Sequence, residues 1–204
     1  MMDKNMWAIE DSLYAQGIGV ICGVDEAGRG PLAGPVCAAA VILPPHLNIP
    51  GLDDSKKLTD KRRRELMPII KEQAIAYGIG FASHEEIDEI NILQATFLAM
   101  ERALEQLQGK AHFALIDGNR EKDFGLPVKT VVKGDSLSAN IAAASVLAKV
   151  TRDDLMEAMA QEYPQYGFEI HKGYGTKAHY AALTEHGPSP IHRTSFLKKF
   201  YADK

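Results

Sequence analysis

Apolar positions fall into short runs along this chain, and the spacing within each run indicates an element. Residues 19–24 and 35–43 are nearly continuous apolar stretches on either side of the Gly-rich residues 27–34, which predicts two strands joined by a loop. Thr59 stands where an N-cap would start a helix running to about Gln73, with Pro68 expected to kink it or remove one backbone hydrogen bond. Residues 74–82 read as a third strand. Beyond Asn91, apolar Ile92, Leu93, Phe97, Met100, Leu104 and Leu107 recur at three- and four-residue intervals, the mark of an amphipathic helix that Gly109 ends. Residues 112–116 and 128–132 read as two more strands, and residues 138–161 as the longest helix. In that helix the small residues Ala139, Ala142, Ala143 and Ala144 let its backbone approach a sheet closely. After Tyr163 and Pro164 the chain turns to Gly, Pro, His and aromatic residues, with one short helix predicted over 177–185.

Three early strands followed by helix–strand alternation predict an α/β fold, a mixed five-stranded sheet flanked by helices. Residues 1–204 are read as one domain, of which about 163–204 form a small, mainly helical C-terminal extension. A hydrophobic content of 46% with 25% charged residues excludes a disordered chain. The two cysteines, Cys22 and Cys37, are too few for a disulfide framework or a zinc site, which points to a reducing compartment. No signal peptide pattern is present, and the longest apolar stretch, 35–45, is about half a membrane span, so a cytoplasmic protein without membrane contact is expected. The net charge of -4 does not suggest a polyanion partner. Locally, Lys56, Lys57, Lys61, Arg62, Arg63 and Arg64 face only Asp60, which would serve phosphates if they share one surface; a solvated helix face is an equal alternative.

The acidic residues carry the chemistry. Asp25 and Glu26 end one predicted strand, Asp117 ends another, and Asp135 follows a third across Lys133-Gly134. If these strands are neighbours, four carboxylates meet at one sheet edge, where their repulsion calls for cations. Hard oxygen donors without Cys or His favour magnesium or manganese over zinc, and a pair of such ions suits phosphodiester hydrolysis. Each residue also has a plainer role open to it: Asp135 as a helix N-cap and Asp117 as a turn residue. Asp25 and Glu26 are adjacent, so in an extended strand they reach one site only if the chain bends, for which residues 27–30 supply freedom. His171, His179, His186 and His192 lie far apart without cysteines, and are read as surface, packing or phosphate-contacting groups.

The run Gly-Val-Asp-Glu-Ala-Gly-Arg-Gly-Pro-Leu-Ala-Gly-Pro-Val at 23–36 resembles the opening motif of bacterial ribonuclease HII, the type 2 ribonuclease H. Similarity continues at 54–58 (Asp-Ser-Lys-Lys-Leu), 116–119 (Ile-Asp-Gly-Asn), 133–135 (Lys-Gly-Asp), 142–145, 148–153, 171–176 (His-Lys-Gly-Tyr-Gly-Thr) and 187–193, and so spans about 19–196 in family order. The resemblance implies a ribonuclease H-like fold with Asp25, Glu26, Asp117 and Asp135 as ligands of two divalent ions, Mn2+ or Mg2+. It implies that Gly28, Arg29 and Gly30 meet a ribose 2'-hydroxyl through backbone groups and that Tyr174 stacks on the following sugar. Lys56 and Lys57 are implied as phosphate contacts near the cut, and Ser145 and Lys149 as contacts to the duplex backbone; an intrahelical Lys149–Asp153 ion pair is the alternative for Lys149.

The activity implied is hydrolysis of the RNA strand of RNA/DNA hybrids and incision 5' of single ribonucleotides in duplex DNA, giving 3'-hydroxyl and 5'-phosphate ends, in the service of ribonucleotide excision and DNA replication. A monomer is expected. A non-catalytic hybrid-binding module is the alternative, disfavoured because all four carboxylates are present. A sugar kinase or ATPase would need a second domain and a phosphate loop, and the sister ribonuclease HIII has a different opening motif. The tail Leu197-Lys198-Lys199-Phe200-Tyr201 resembles peptides that dock into sliding clamps, but Thr194 stands where their leading Gln belongs, so packing on its own domain is the stronger expectation.

Overall fold

The computed structural model describes residues 5–55 and 57–202, so the expected phosphate contact Lys56 lies outside the described residues. Helix α1 (Ala8–Tyr14) precedes the hairpin of β1 (Ile21–Ala27) and β2 (Val36–Ile42), then α2 (Asp60–Gln73), β3 (Ala76–Ala82) and α3 (His84–Glu105). Strands β4 (Phe113–Asp117) and β5 (Val128–Val131) follow, then the long α4 (Ala139–Glu162), a short α5 (Phe168–His171), α6 (Lys177–His186) and α7 (Thr194–Ala202). The sheet runs β3-β2-β1-β4-β5. Its first three strands are antiparallel neighbours and the last two join in parallel, which is the mixed five-stranded arrangement expected.

Alternate side chains of β2 serve two cores. Ala38, Ala40 and Ile42 face α3 with Phe97, Ala99 and Met100, while Cys37, Ala39 and Val41 face α2 and α4 with Leu66, Ile70, Ala143 and Leu147. Small side chains at 37–40 let helices press on both faces of this central strand. Among the described residues no helix is long and apolar enough to cross a membrane.

Four features bear on the sequence expectations, and each has a physical cause. Helix α2 continues across Pro68 from Asp60 to Gln73, with Thr59 accepting the Arg62 N–H as its cap. Helix α3 has a segment ahead of the expected one: it starts at His84, where Ser83 and Glu86 form a capping box, breaks at Asn91 (φ 67°, ψ 162°), and resumes where expected, with the Asn91 side chain accepting the N–H groups of Leu93 and Gln94. The three arginines of the basic run are engaged within the fold. Arg62 reaches the Pro50 carbonyl and Glu65, Arg63 donates to the carbonyls of Ser55 (2.8 Å) and Leu58 (2.5 Å), and Arg64 joins Asp60, Asp154 and Glu157, so these arginines bind the 50–58 loop and α4 in place of a free phosphate face. Lastly, the C-terminal tail is helix α7, which buries Leu197 and stacks Phe200 on Tyr180 at 5.7 Å between ring centroids. The tail therefore packs on its own domain, as the stronger expectation had it.

Candidate active site

Strand β1 does not stop before its acids. Asp25, Glu26 and Ala27 pair with Ala39, Ala38 and Cys37 of β2, so both carboxylates stand on regular strand backbone. Because β1 and β4 run parallel with Val24 opposite Ile116, the next residues along them, Asp25 and Asp117, come side by side at the carboxyl ends of adjacent strands. That edge is where parallel sheets place their sites. After β5, Lys133 takes a left-handed conformation (φ 57°) that turns the chain into a single 3-10 turn, Gly134–Ser136, carrying Asp135 back over the strand ends.

Carboxylate oxygens of Asp25, Asp117 and Asp135 all lie within 4.8 Å of one another. Asp25 and Asp135 are only 5% and 3% exposed. Backbone donors set their orientation: Asp25 Oδ1 accepts the Glu26 N–H at 2.8 Å, and Asp117 Oδ1 accepts the Gly134 N–H at 2.6 Å, which ties β4 to the turn. A Cβ on Gly134 would lie 2.6 Å from Ile141 Cδ1, so a larger residue there would make the Ile141 side chain shift. The plainer role for Asp135 is taken by another residue, because Ser138 caps α4 by accepting the Ile141 N–H. Three close carboxylates, two of them buried, with no imidazole or sulfur in the group fit a hard divalent cation.

Glu26 is outside that trio. Its Oε1 lies 3.3 Å from the Arg29 guanidinium, yet it lines the same cleft. The cleft, about 220 Å³, is walled by Asp25, Glu26, Asp117, the 27–30 loop, Ser55, Ser145, Lys149 and Tyr174. Ser145 is buried and its hydroxyl donates to the Ala142 carbonyl; Lys149 makes the alternative ion pair with Asp153 at 2.6 Å while still bordering the cleft. Tyr174 is 44% exposed, so its ring is no core residue, and it lies against Gly30, where an added Cβ would be 3.5 Å from Tyr174 Cε1. Lys57 is exposed beside Asp53 at 3.5 Å and is not among the cleft-lining residues.

One residue of the site's support had no legible signal. Buried Glu10 of α1 accepts from the Ser138 hydroxyl at 2.6 Å and from Asn140 Nδ2 at 3.1 Å, while Asn140 Oδ1 accepts the Leu43 N–H. The first turn of α4, directly after the Asp135 turn, is thereby fixed to α1 and β2. Burial pushes the Glu10 carboxyl above its usual range, and the bonds from Ser138 and Asn140 only partly offset this.

A mixed sheet in this order, with acids at the ends of β1 and β4 and on the turn beyond β5, defines a ribonuclease H-like enzyme. The chain belongs to the ribonuclease HII family: the family model described as Ribonuclease HII matches residues 22–199. It is similar to the Ribonuclease HII of Dechloromonas aromatica, 58% identical over 179 residues that cover 88% of this chain and 91% of that protein. Among solved structures it is similar to the ribonuclease H2 from Pyrococcus horikoshii OT3 (TM-score 0.73, 27% identity, 91% of this chain and all of that one). In fold it also matches the ribonuclease HII of the PCNA:RNase HII complex from Archaeoglobus fulgidus (TM-score 0.72, 24% identity, 86% of this chain and 94% of that one). The protein is thus a type 2 ribonuclease H, an endonuclease of RNA/DNA hybrids that depends on a divalent metal.

Proposed function

We propose that this enzyme both degrades the RNA strand of hybrids and nicks duplex DNA 5' of a lone ribonucleotide, leaving 3'-hydroxyl and 5'-phosphate ends. The observation that carries this reading is the convergence of Asp25, Asp117 and Asp135 on one point, next to the glycine loop at 28–30. Asp25, Glu26, Asp117 and Asp135 are the ligands, and two ions, Mn2+ or Mg2+, are bound during the reaction. When bound, such ions supply a water made nucleophilic at neutral pH and offset the charge on the leaving 3'-oxygen. The chain's own groups do the rest. The Glu26 and Gly134 N–H groups hold Asp25 and Asp117 in place before substrate arrives. Gly28, Arg29 and Gly30 bring backbone within reach of a 2'-hydroxyl, the one group that separates RNA from DNA, and Tyr174 offers a flat surface to the next sugar. Lys56, Lys57, Ser145 and Lys149 contact phosphates of the duplex.

Acting as a monomer in ribonucleotide excision and replication, the enzyme would have at most a weak sliding-clamp contact through its tail. Leu197 and Phe200 are already engaged by the domain, which leaves the exposed Tyr201. Unchanged clamp retention of a Phe200→Ala, Tyr201→Ala protein in a pull-down defeats that contact.

The decisive experiment is cleavage of a duplex containing one ribonucleotide, in Mg2+ or Mn2+. Wild-type protein is expected to nick 5' of that residue. Asp25→Asn is expected to cut more than about a hundredfold more slowly and still bind the duplex, because several kcal/mol of charge stabilisation depend on the bound ions. Equal cutting of an all-DNA duplex overturns the reading.

A further inference from the structure

Arg152 and Arg193 are the two largest fully buried side chains, at 1% and 0% exposure, and among the described residues neither lies within ion-pair distance of a carboxylate. Each donates to three main-chain carbonyls. Arg193 bonds Gly34 through Nε (2.9 Å) and Arg29 and Gly28 through its terminal nitrogens (3.0 and 2.6 Å). Arg152 bonds Pro35, Lys172 and Ala33 at 3.0, 3.0 and 3.2 Å. Burial, with Arg152 close by, pushes the Arg193 guanidinium down to about 9, so it remains charged at neutral pH. Stability alone would be served as well or better by apolar side chains of similar volume. What apolar side chains cannot do is aim carbonyls.

Aiming these carbonyls has a covalent consequence. In a trans peptide the C=O of one residue and the N–H of the next point in opposite directions. With the Gly28 and Arg29 carbonyls drawn inward to Arg193, the N–H groups of Arg29 and Gly30 face away from it, on the side where these residues line the cleft. Among the described residues no hydrogen bond uses either N–H.

The residue before Arg193 acts on the opposite wall. His179 Nδ1 lies 2.9 Å from the Tyr174 carbonyl, which can only accept, so Nδ1 donates. In neutral His179 the other nitrogen then accepts from His192 Nε2 at 2.9 Å, and His192 Nδ1 is left to accept the Ser189 N–H at 2.8 Å. One choice of tautomers satisfies the whole chain. The two anchors share one stretch of backbone: Ala33 bridges His192, the Arg193 N–H reaches the Leu32 carbonyl, and the Leu32 N–H reaches that of Gly173.

We infer that His192 and Arg193 are positioning residues for sugar recognition: Arg193 sets the Gly28–Gly30 loop, His192 sets Tyr174 through His179, and together they fix the gap in which a ribose is read. This rests on the sugar-reading role proposed above for that loop and Tyr174. Neither residue touches the substrate. Arg193 acts from the C-terminal extension on a loop 164 and 165 residues earlier in the chain, whereas His192 acts on Tyr174 within the extension itself.

The test measures affinity for two duplexes, one with a single ribonucleotide and one all-DNA, in an Asp25→Asn background where neither is cut. The single variant is expected to prefer the ribonucleotide duplex by roughly tenfold, the worth of one hydrogen bond to the 2'-hydroxyl. Adding Arg193→Lys, which keeps the charge but cannot span three carbonyls, is expected to bring the ratio close to one while Mn2+ affinity by titration calorimetry stays unchanged. His192→Asn, which keeps an acceptor for the Ser189 N–H and loses the bond to His179, is expected to lower the ratio as well, and it carries the comparison if Arg193→Lys does not fold. Phe200→Ala, in helix α7 of the same extension, controls for general loosening. A preserved ratio in the Arg193 and His192 variants, or an equal fall in the Phe200 variant, overturns the positioning role alone. A ratio near one already in Asp25→Asn overturns the sugar-reading assignment, and this inference with it.

Discussion

Gly23 decides how closely the acids can approach one another. It lies on β1 two residues before Asp25, and a Cβ built on it would meet the Asn140 carbonyl carbon at 2.1 Å and the Ile141 nitrogen at 2.2 Å. Those atoms are main chain at the start of α4, held by Glu10, and cannot move aside as a flexible side chain would. The missing side chain therefore sets the distance between β1 and the segment that carries Asp135. Gly23→Ala is expected to cost about 1–3 kcal/mol in urea unfolding through overpacking. It is also expected to weaken Mn2+ binding, because the helix must shift away from the strand that bears Asp25. A variant with wild-type stability and metal affinity would show that the first turn of α4 yields freely at this contact.

Elements differ in how plainly the chain announces them. The five strands and the helices α2, α4 and α6 were readable because apolar periodicity, a Thr or Ser cap and Gly or Pro stops agree locally. The start of α3 was missed although Ser83-x-x-Glu86 is a capping signature, because the apolar spacing becomes regular only after the Asn91 break. Helix α7 was missed for a different reason. Its start is satisfied by a distant residue: Asp88 accepts the N–H and hydroxyl groups of both Thr194 and Ser195, at 2.5–2.9 Å. In the same way the acids at 25, 117 and 135 were legible as strand-end residues, whereas the supports at Glu10, Arg152 and Arg193 were not, since a buried polar side chain reveals its partner only in three dimensions. Asp88→Ala leaves those four donors without their acceptor and is expected to cost about 1–2 kcal/mol, as the loss of a helix cap does. The loss should be local, read as faster amide hydrogen exchange over α7 with little change in α4. Exchange rates unaltered in α7 would show that Leu197 packing alone holds the helix.

At the scale of the whole molecule, His192, Asp88 and Glu10 are among the groups through which stability depends on pH. Burial pushes His192 down to about 4 from 6.5, and the neighbouring His179 adds to the effect. Its folded pKa lies below its unfolded one, so the unfolded chain binds the extra proton in that window; the stability is complete above about 6.5 and is lost as pH falls through about 4. The shift corresponds to about 3 kcal/mol. Burial works to raise Asp88, but its bonds from Ser195 and Thr194 outweigh this and hold the carboxyl below the usual range, so its contribution is also lost on the acid side, at lower pH. Glu10 has the opposite sign. Its raised folded pKa favours the folded state at low pH, and that contribution disappears as pH rises through the raised value. Urea midpoints should carry a His192 contribution that falls on going from about pH 6.5 towards 4, and His192→Asn should remove that part of the slope while lowering the plateau above it. An identical pH slope in wild type and His192→Asn across this window would mean that His192 is not held neutral in the fold. The tautomer chain from Ser189 to Tyr174 would then lose its basis, because a doubly protonated His192 has no lone pair for the Ser189 N–H.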